Sequence, residues 1–244
     1  MKPVTLAERA ALTGLAAVAA VGAAVISYEP APEVVPLTVS ASTSMPASVP
    51  DLPRPPALNS LPAPADVGSF TITGPAGEEL ISGADYDSMP YVLPLNPAGP
   101  QETMVRWVEG WGVPPSRAEE GTVYALGHAW SVAPLVFNPL SEKVTDNALT
   151  APGERVETVS GSPVTRKTTD VLNGSIIRVM DEHGRGREWV IDAAWLVDKY
   201  EAIDDADLMD DTQPGRIVLI ACSVDGADDL GYNVMVSGHL RPVD

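Results

Sequence analysis

A thiol and an imidazole are the groups in this sequence whose placement suits nucleophilic chemistry. The chain has one cysteine, Cys222, and three histidines, His128, His183 and His239. A cysteine attacks well only as its thiolate, so it needs a neighbour that takes or holds the proton. Cys222 ends the apolar run RIVLIAC, which reads as a strand, and the polar stretch SVDGADDLG follows it. A strand end fixes the sulfur while the adjoining loop leaves it open to solvent. His128 closes another such run, TVYALGH, whereas His183 falls in the turn-like DEHGRG and His239 lies past the last strand. Two strand ends, each delivering one half of a Cys–His pair, give the geometry that thiol catalysis needs. By itself the pattern leaves two readings open, a catalytic thiol or a small buried residue beside a structural histidine.

The runs that would hold these residues are short and β-branched. They are Gly68–Thr73, Met104–Val108, Thr122–Leu126, Ser175–Met180, Glu188–Ala193, Arg216–Cys222 and Tyr232–Ser237. Several alternate apolar and polar residues, the period of a half-buried strand. Asp181–Gly186 (DEHGRG) supplies a hairpin turn between two of them, since glycine takes the positive φ that such turns need. No long segment of helical period follows the N-terminal region. The expected class is all-β, a closed or nearly closed barrel. Pro139 to Asn173, with PGERVETVSGSP and VTRKTTD, reads as a long polar excursion, and a loop of that length is functional or flexible.

Composition narrows the setting. The 244 residues carry a formal net charge of -18, which would repel a polyanion and excludes nucleic-acid binding. A single cysteine rules out a disulfide within the chain. Ala10 to Tyr28 contains no charged residue, with Lys2 and Arg9 before it and Glu29 and Glu33 after it. That asymmetry predicts a cytoplasmic N-terminus and an exported remainder. Residues 1–28 are therefore read as an N-terminal membrane helix acting as a signal anchor, with a cleaved signal peptide as the alternative. Residues 29–66, dense in Pro, Ser and Ala, read as an extended extracellular stalk. Residues 67–244 form the β-barrel domain.

Gly121–Trp130 (GTVYALGHAW), then Phe137-Asn138-Pro139-Leu140, a strand–hairpin–strand and Arg216–Ser223 (RIVLIACS) follow one another in this order. The arrangement resembles the sortases, in which a histidine ends one barrel strand and a cysteine ends a later one. The resemblance covers most of Val67 to Leu240 and is nearest to actinobacterial, class E-like members. It implies an all-β, sortase-like closed β-barrel of about eight strands with short helical turns, in a membrane-anchored cysteine transpeptidase with its catalytic domain outside the cell. Cys222 would cleave an LPxTG-like sorting signal through a thioacyl-enzyme, with His128 as general acid and base. The implied partners are surface proteins or pilins bearing the sorting signal, and the amine of a cell-wall precursor or a pilin lysine.

The chain departs from the family pattern at one place. Sortases carry an arginine at the start of the last strand, where it stabilises the oxyanion of acyl transfer. Aligning Tyr232–Gly238 on that strand puts Asn233 at the arginine position. Its amide is a neutral donor, and Arg241 is a second candidate beyond the strand. A degenerate sortase fold used for binding or assembly is the alternative that this departure permits. An L,D-transpeptidase would carry a compact SxGC motif close after its histidine, and a papain-like hydrolase would place Cys before His. No cofactor is expected. The acidic cluster Asp204, Asp205, Asp207, Asp210 and Asp211 could attract Ca²⁺, although its spacing matches no tight calcium loop.

Overall fold

The computed structural model describes residues 63–241. The anchor expected at residues 1–28, and the stalk as far as residue 62, lie outside the described residues. Among the described residues no helix is long and apolar enough to cross a membrane.

Among the described residues there are ten strands: β1 (Gly68–Thr73), β2 (Glu79–Pro90), β3 (Met104–Gly112), β4 (Val123–Leu126), β5 (Glu154–Val156), β6 (Val164–Thr169), β7 (Ile176–Met180), β8 (Gly186–Asp198), β9 (Arg216–Asp225) and β10 (Asp228–Leu240). The α-helices among the described residues are α1 (Asn138–Ala148) and the single turn α2 (Ala206–Met209), with short 3-10 turns at Pro115–Glu120 and Ala202–Asp204. Eight strands close on themselves in the order β10-β9-β4-β3-β2-β1-β7-β8, with β8 pairing back onto β10. The expected closed barrel is present. β7 takes the first half of one edge of β8 and β6 takes the second half, so β6 and β5 branch off as a ribbon. Two neighbouring pairs in the ring, β2–β3 and β4–β9, are parallel and the others are antiparallel.

Inward positions alternate along each strand, as the pleat requires. Phe70 and Ile72 of β1, Trp189 and Ile191 of β8, Leu219 and Ala221 of β9, and Val234 and Val236 of β10 meet in the barrel interior. Side chains fill an eight-stranded barrel without leaving a channel. A second apolar layer lies on the opposite face of β4, β8, β9 and β10, built from Tyr124, Leu126, Trp195, Val197, Val218, Ile220 and Met235. Strands covered on both faces read as continuous apolar runs, which is why RIVLIA shows no alternation.

The polar excursion expected over Pro139 to Asn173 is instead ordered structure: α1, β5 and β6. Leu140, Val144 and Ala148 recur at helical spacing and enter the barrel core. Ser141 and Thr145 on the same helix are buried as well, and these hydroxyls dilute the apolar stripe that would have marked the helix. Pro139 sits in the first turn of α1, where its missing N–H costs nothing. β6 is mostly half-buried, so its Thr, Arg and Lys residues gave it the composition of a loop.

Residues at the end of the Pro-rich stretch are hydrogen-bonded to the barrel. Ala65 N–H donates to Asp181 Oδ2 at 2.9 Å and the Ala65 carbonyl accepts from the Tyr86 hydroxyl at 2.5 Å. The Asp66 carbonyl accepts from the Trp107 indole at 2.9 Å.

Candidate active site

The parallel pairing of β4 with β9 brings the two expected reacting groups abreast. Leu126 stands in register with Ile220, and Gly127 extends the ladder by donating its N–H to the Ile220 carbonyl at 3.2 Å. Two residues beyond each member of that pair lie His128 and Cys222. Both line one cavity of about 490 Å³, together with Asn233. Asn233 is directly opposite Cys222 across β9–β10 and opposite Val197 across β8–β10.

Cys222 is half-buried, and it does not end its strand. β9 continues to Asp225 and turns into β10 through Gly226-Ala227, with Gly226 at φ 55°. The sequence SVDGADDLG is polar enough to resemble a loop, but most of it is the far end of a long hairpin. Behind the sulfur, α1 braces the strand. The Ser141 hydroxyl donates to the Cys222 carbonyl at 2.7 Å, and Thr145 and Ser223 share a hydroxyl hydrogen bond at 2.8 Å.

His128 is held from two sides. Its carbonyl accepts from Phe137 N–H at 2.9 Å, and its Nε2 is 3.0 Å from the Pro97 carbonyl oxygen. A carbonyl only accepts, so this contact places the proton on Nε2. Gly127 lies flat against the Phe137 ring: a Cβ there would be 2.6 Å from ring carbon Cγ. His183 lies in the β7–β8 turn, and His239 pairs with Asp192 beside Arg216, at the other end of β10. Of the three histidines only His128 comes to the cysteine.

Two segments wall the cavity. On one side runs Tyr91 to Pro97, with Val92 and Leu93 exposed and Pro97 buried. Behind it Trp111 stacks on Tyr124 with ring centroids 3.7 Å apart, and Tyr91 packs against Trp111 at 5.6 Å. On the other side runs Lys199 to Met209, whose Tyr200 and Ile203 are exposed at the rim while Leu208 is buried.

The acidic cluster serves this second wall. Asp205, fully buried, caps α2 by accepting from Leu208 N–H and receives both Nε and Nη2 of Arg166. Arg166 in turn lies 4.2 Å above the Trp195 ring. Asp207 pairs with Arg166 and with buried Arg216. Burial opposes the charge on Asp207, and Arg166 and Arg216 overcome it, holding its carboxyl below the usual range. Asp210 accepts from the Thr212 N–H and hydroxyl. Among the described residues no group of three or more His, Cys, Asp or Glu is placed to hold a metal ion.

Arg241 is not near the thiol. It pairs with Glu188 at the opposite end of β10, eight residues and roughly 26 Å along the strand from Asn233. Among the described residues lining the cavity, the one side chain with a permanent positive charge is Lys199. It follows the last residue of β8, its N–H donates to the Gly231 carbonyl at 3.1 Å, and its ammonium pairs with Asp229. The sequence reading missed it, because only the order β8-β10-β9 brings it to the cysteine.

No family model matches the chain, and no curated protein is similar to it in sequence. Solved structures with a similar chain path include sortases. One is sortase A of Listeria monocytogenes, 12% identical, with 72% of this chain and 89% of that chain covered and a TM-score of 0.38. Another is sortase C-1 of Actinomyces oris, 14% identical, covering 71% and 74% with a TM-score of 0.43. A third is sortase C1 of Streptococcus agalactiae, 13% identical, covering 72% and 69% with a TM-score of 0.40. Likenesses this distant assign no activity to the chain.

Proposed function

We propose that the chain is a sortase-type cysteine transpeptidase. The observation that carries the reading is the β4–β9 register, which brings His128 and Cys222 into the lining of one cavity with apolar walls. In the proposed cycle the Cys222 thiolate attacks the carbonyl carbon of a peptide bond. The C–S bond forms and the carbonyl electron pair moves onto oxygen. Collapse of that oxyanion expels the amine, which takes a proton from the His128 imidazolium and leaves a thioacyl-enzyme. An incoming amine then gives its proton to His128 and displaces the sulfur.

The exposed apolar rims at Val92, Leu93, Tyr200 and Ile203 suit an extended peptide with apolar residues. An LPxTG-like sorting signal on a surface protein or pilin is the proposed donor. The amine of a cell-wall precursor or a pilin lysine is the proposed acceptor. The charge-free segment Ala10 to Tyr28 and the Pro-rich stretch after it would hold the domain outside the membrane. The nearer likeness to actinobacterial, class E-like members is part of the proposal and rests on the two sequence motifs.

Intact-mass measurement after incubation with sorting-signal peptides tests the reading. The expected result is a thioester adduct on the wild type and none on Cys222→Ala. No adduct across varied motifs would leave a binding or assembly module instead, the role that Asn233 in the arginine position permits.

A further inference from the structure

We propose that Lys199 supplies the cation of this site: held by Asp229, its ammonium donates to the Cys222 sulfur in the resting enzyme and to the oxyanion once that sulfur has attacked. The oxyanion half of this inference rests on the transpeptidase reading above; the contact with the sulfur does not.

The placement follows from an irregularity in β10. Val224 pairs with Asp229 and Cys222 pairs with Asn233, so one residue of β9, Ser223, faces three of β10, Leu230 to Tyr232. Such a bulge bends its strand and re-aims side chains, and bulges are frequent beside active sites. Gly231 takes φ 79° at its centre. The bulge presents the Gly231 carbonyl to Lys199 N–H, while the Asp229 carboxylate accepts both Gly231 N–H and the Lys199 ammonium. Lys199 is thereby tied to β10 through backbone and side chain. Lys199 also lines the cavity that Cys222, His128 and Asn233 share.

Burial alone would lower the pKa of Lys199. The carboxylate of Asp229 and the sulfur of Cys222 outweigh it and hold the amine above its usual range. The lysine is therefore a standing cation rather than a base. When a carbonyl carbon bonds to sulfur, the new oxyanion sits on the atom next to it. A donor already directed at the sulfur needs little movement to reach that oxygen, and donors at about 2.7–3.1 Å from it are the effective ones. The groups around the sulfur are then Lys199 and Asp229 from the β8 and β10 side, neutral Asn233 opposite, and His128 from β4. The charge missing at position 233 is restored from the neighbouring strand.

The test compares wild type, Lys199→Met and Lys199→Arg in two assays, after thermal unfolding has shown each variant folded. The first is the rate of Cys222 alkylation by iodoacetamide against pH, followed by intact mass and independent of any peptide substrate. Lys199→Met is expected to react about tenfold more slowly at neutral pH, and Lys199→Arg to recover most of the rate. The second is the rate of thioacyl-enzyme formation with a sorting-signal peptide. Here Lys199→Met should lose roughly 10²–10³-fold, the loss typical of one oxyanion donor, with partial rescue by arginine. Equal alkylation profiles for wild type and Lys199→Met would overturn the proposed contact with the sulfur. A wild-type acylation rate in Lys199→Met would overturn the oxyanion role. If the wild type itself forms no adduct, the transpeptidase reading and the oxyanion role fail together, and the alkylation arm still decides the contact.

Discussion

Cys222 and Asn233 face one another across the β9–β10 ladder, and Asn233 also faces Val197 on β8. The asparagine is thus fixed on both sides by main-chain pairing, on the same face of the sheet as the thiol. A neutral amide donor contributes about 1 kcal/mol net. Asn233→Ala should slow thioacyl formation about fivefold while leaving alkylation of the thiol near the wild-type rate. A loss as large as that of Lys199→Met would make Asn233 the main oxyanion donor.

His128 differs from Asn233 in what its loss removes. General acid–base catalysis contributes roughly 10²–10⁴-fold, so His128→Gln should reduce acyl transfer by that factor. Single-turnover kinetics at several pH values check it, and wild-type turnover in this variant would remove His128 from the mechanism.

Gly127 has no room for a side chain, since a Cβ would meet the Phe137 ring at 2.6 Å. Gly127→Ala must displace either the ring or the backbone that carries His128. Overpacking of this kind costs about 1–3 kcal/mol. Thermal unfolding should show the loss, and activity should fall further than stability because the imidazole moves with the strand end.

Asp205 sits fully buried between Arg166 and the first turn of α2. Removing one member of a buried ion pair costs about 3 kcal/mol or more, because the other charge is left without its counterpart. Asp205→Ala should destabilise the domain by that amount in denaturant titration. It should also weaken peptide binding, since Leu208 and Met209 of the cavity wall belong to the helix that Asp205 caps.

Asp181 gives the fold a defined acid limit. Burial opposes its ionisation, but the N–H groups of Ala65, Arg185 and His183 and the Arg185 guanidinium together hold its carboxyl far below the usual range. A depressed folded-state pKa stabilises above the unfolded value, about 3.9 for Asp. That contribution is lost as pH falls from there toward the folded value. Unfolding midpoints measured between pH 6 and pH 2 should drop more steeply for the wild type than for Asp181→Asn; parallel curves would dismiss the effect.

The barrel was legible because its strands are β-branched and because the DEHGRG hairpin carries its own glycine. β2 was not, since ELISGADYDSMP mixes small, acidic and apolar residues and holds Gly83 at φ 66°. The helix α1 was hidden by its buried hydroxyls, and β6 by its polar composition. At the site, Cys222 and His128 were readable because each follows an apolar run of its own. Lys199 was not, because a lysine after a strand is ordinarily solvated, and only the tertiary order of three strands gives it a sulfur and a carboxylate to face.

Ring closure has a consequence for how copies of this chain meet. An open sheet offers two unpaired borders on which another polypeptide can template itself, and a closed one offers none. The β5–β6 ribbon reinstates a single border, but β5 is only the three residues Glu154–Val156, and two of them are charged and exposed. So short and polar a border resists strand-by-strand accretion, and what remains for a passing extended peptide is the walled cavity.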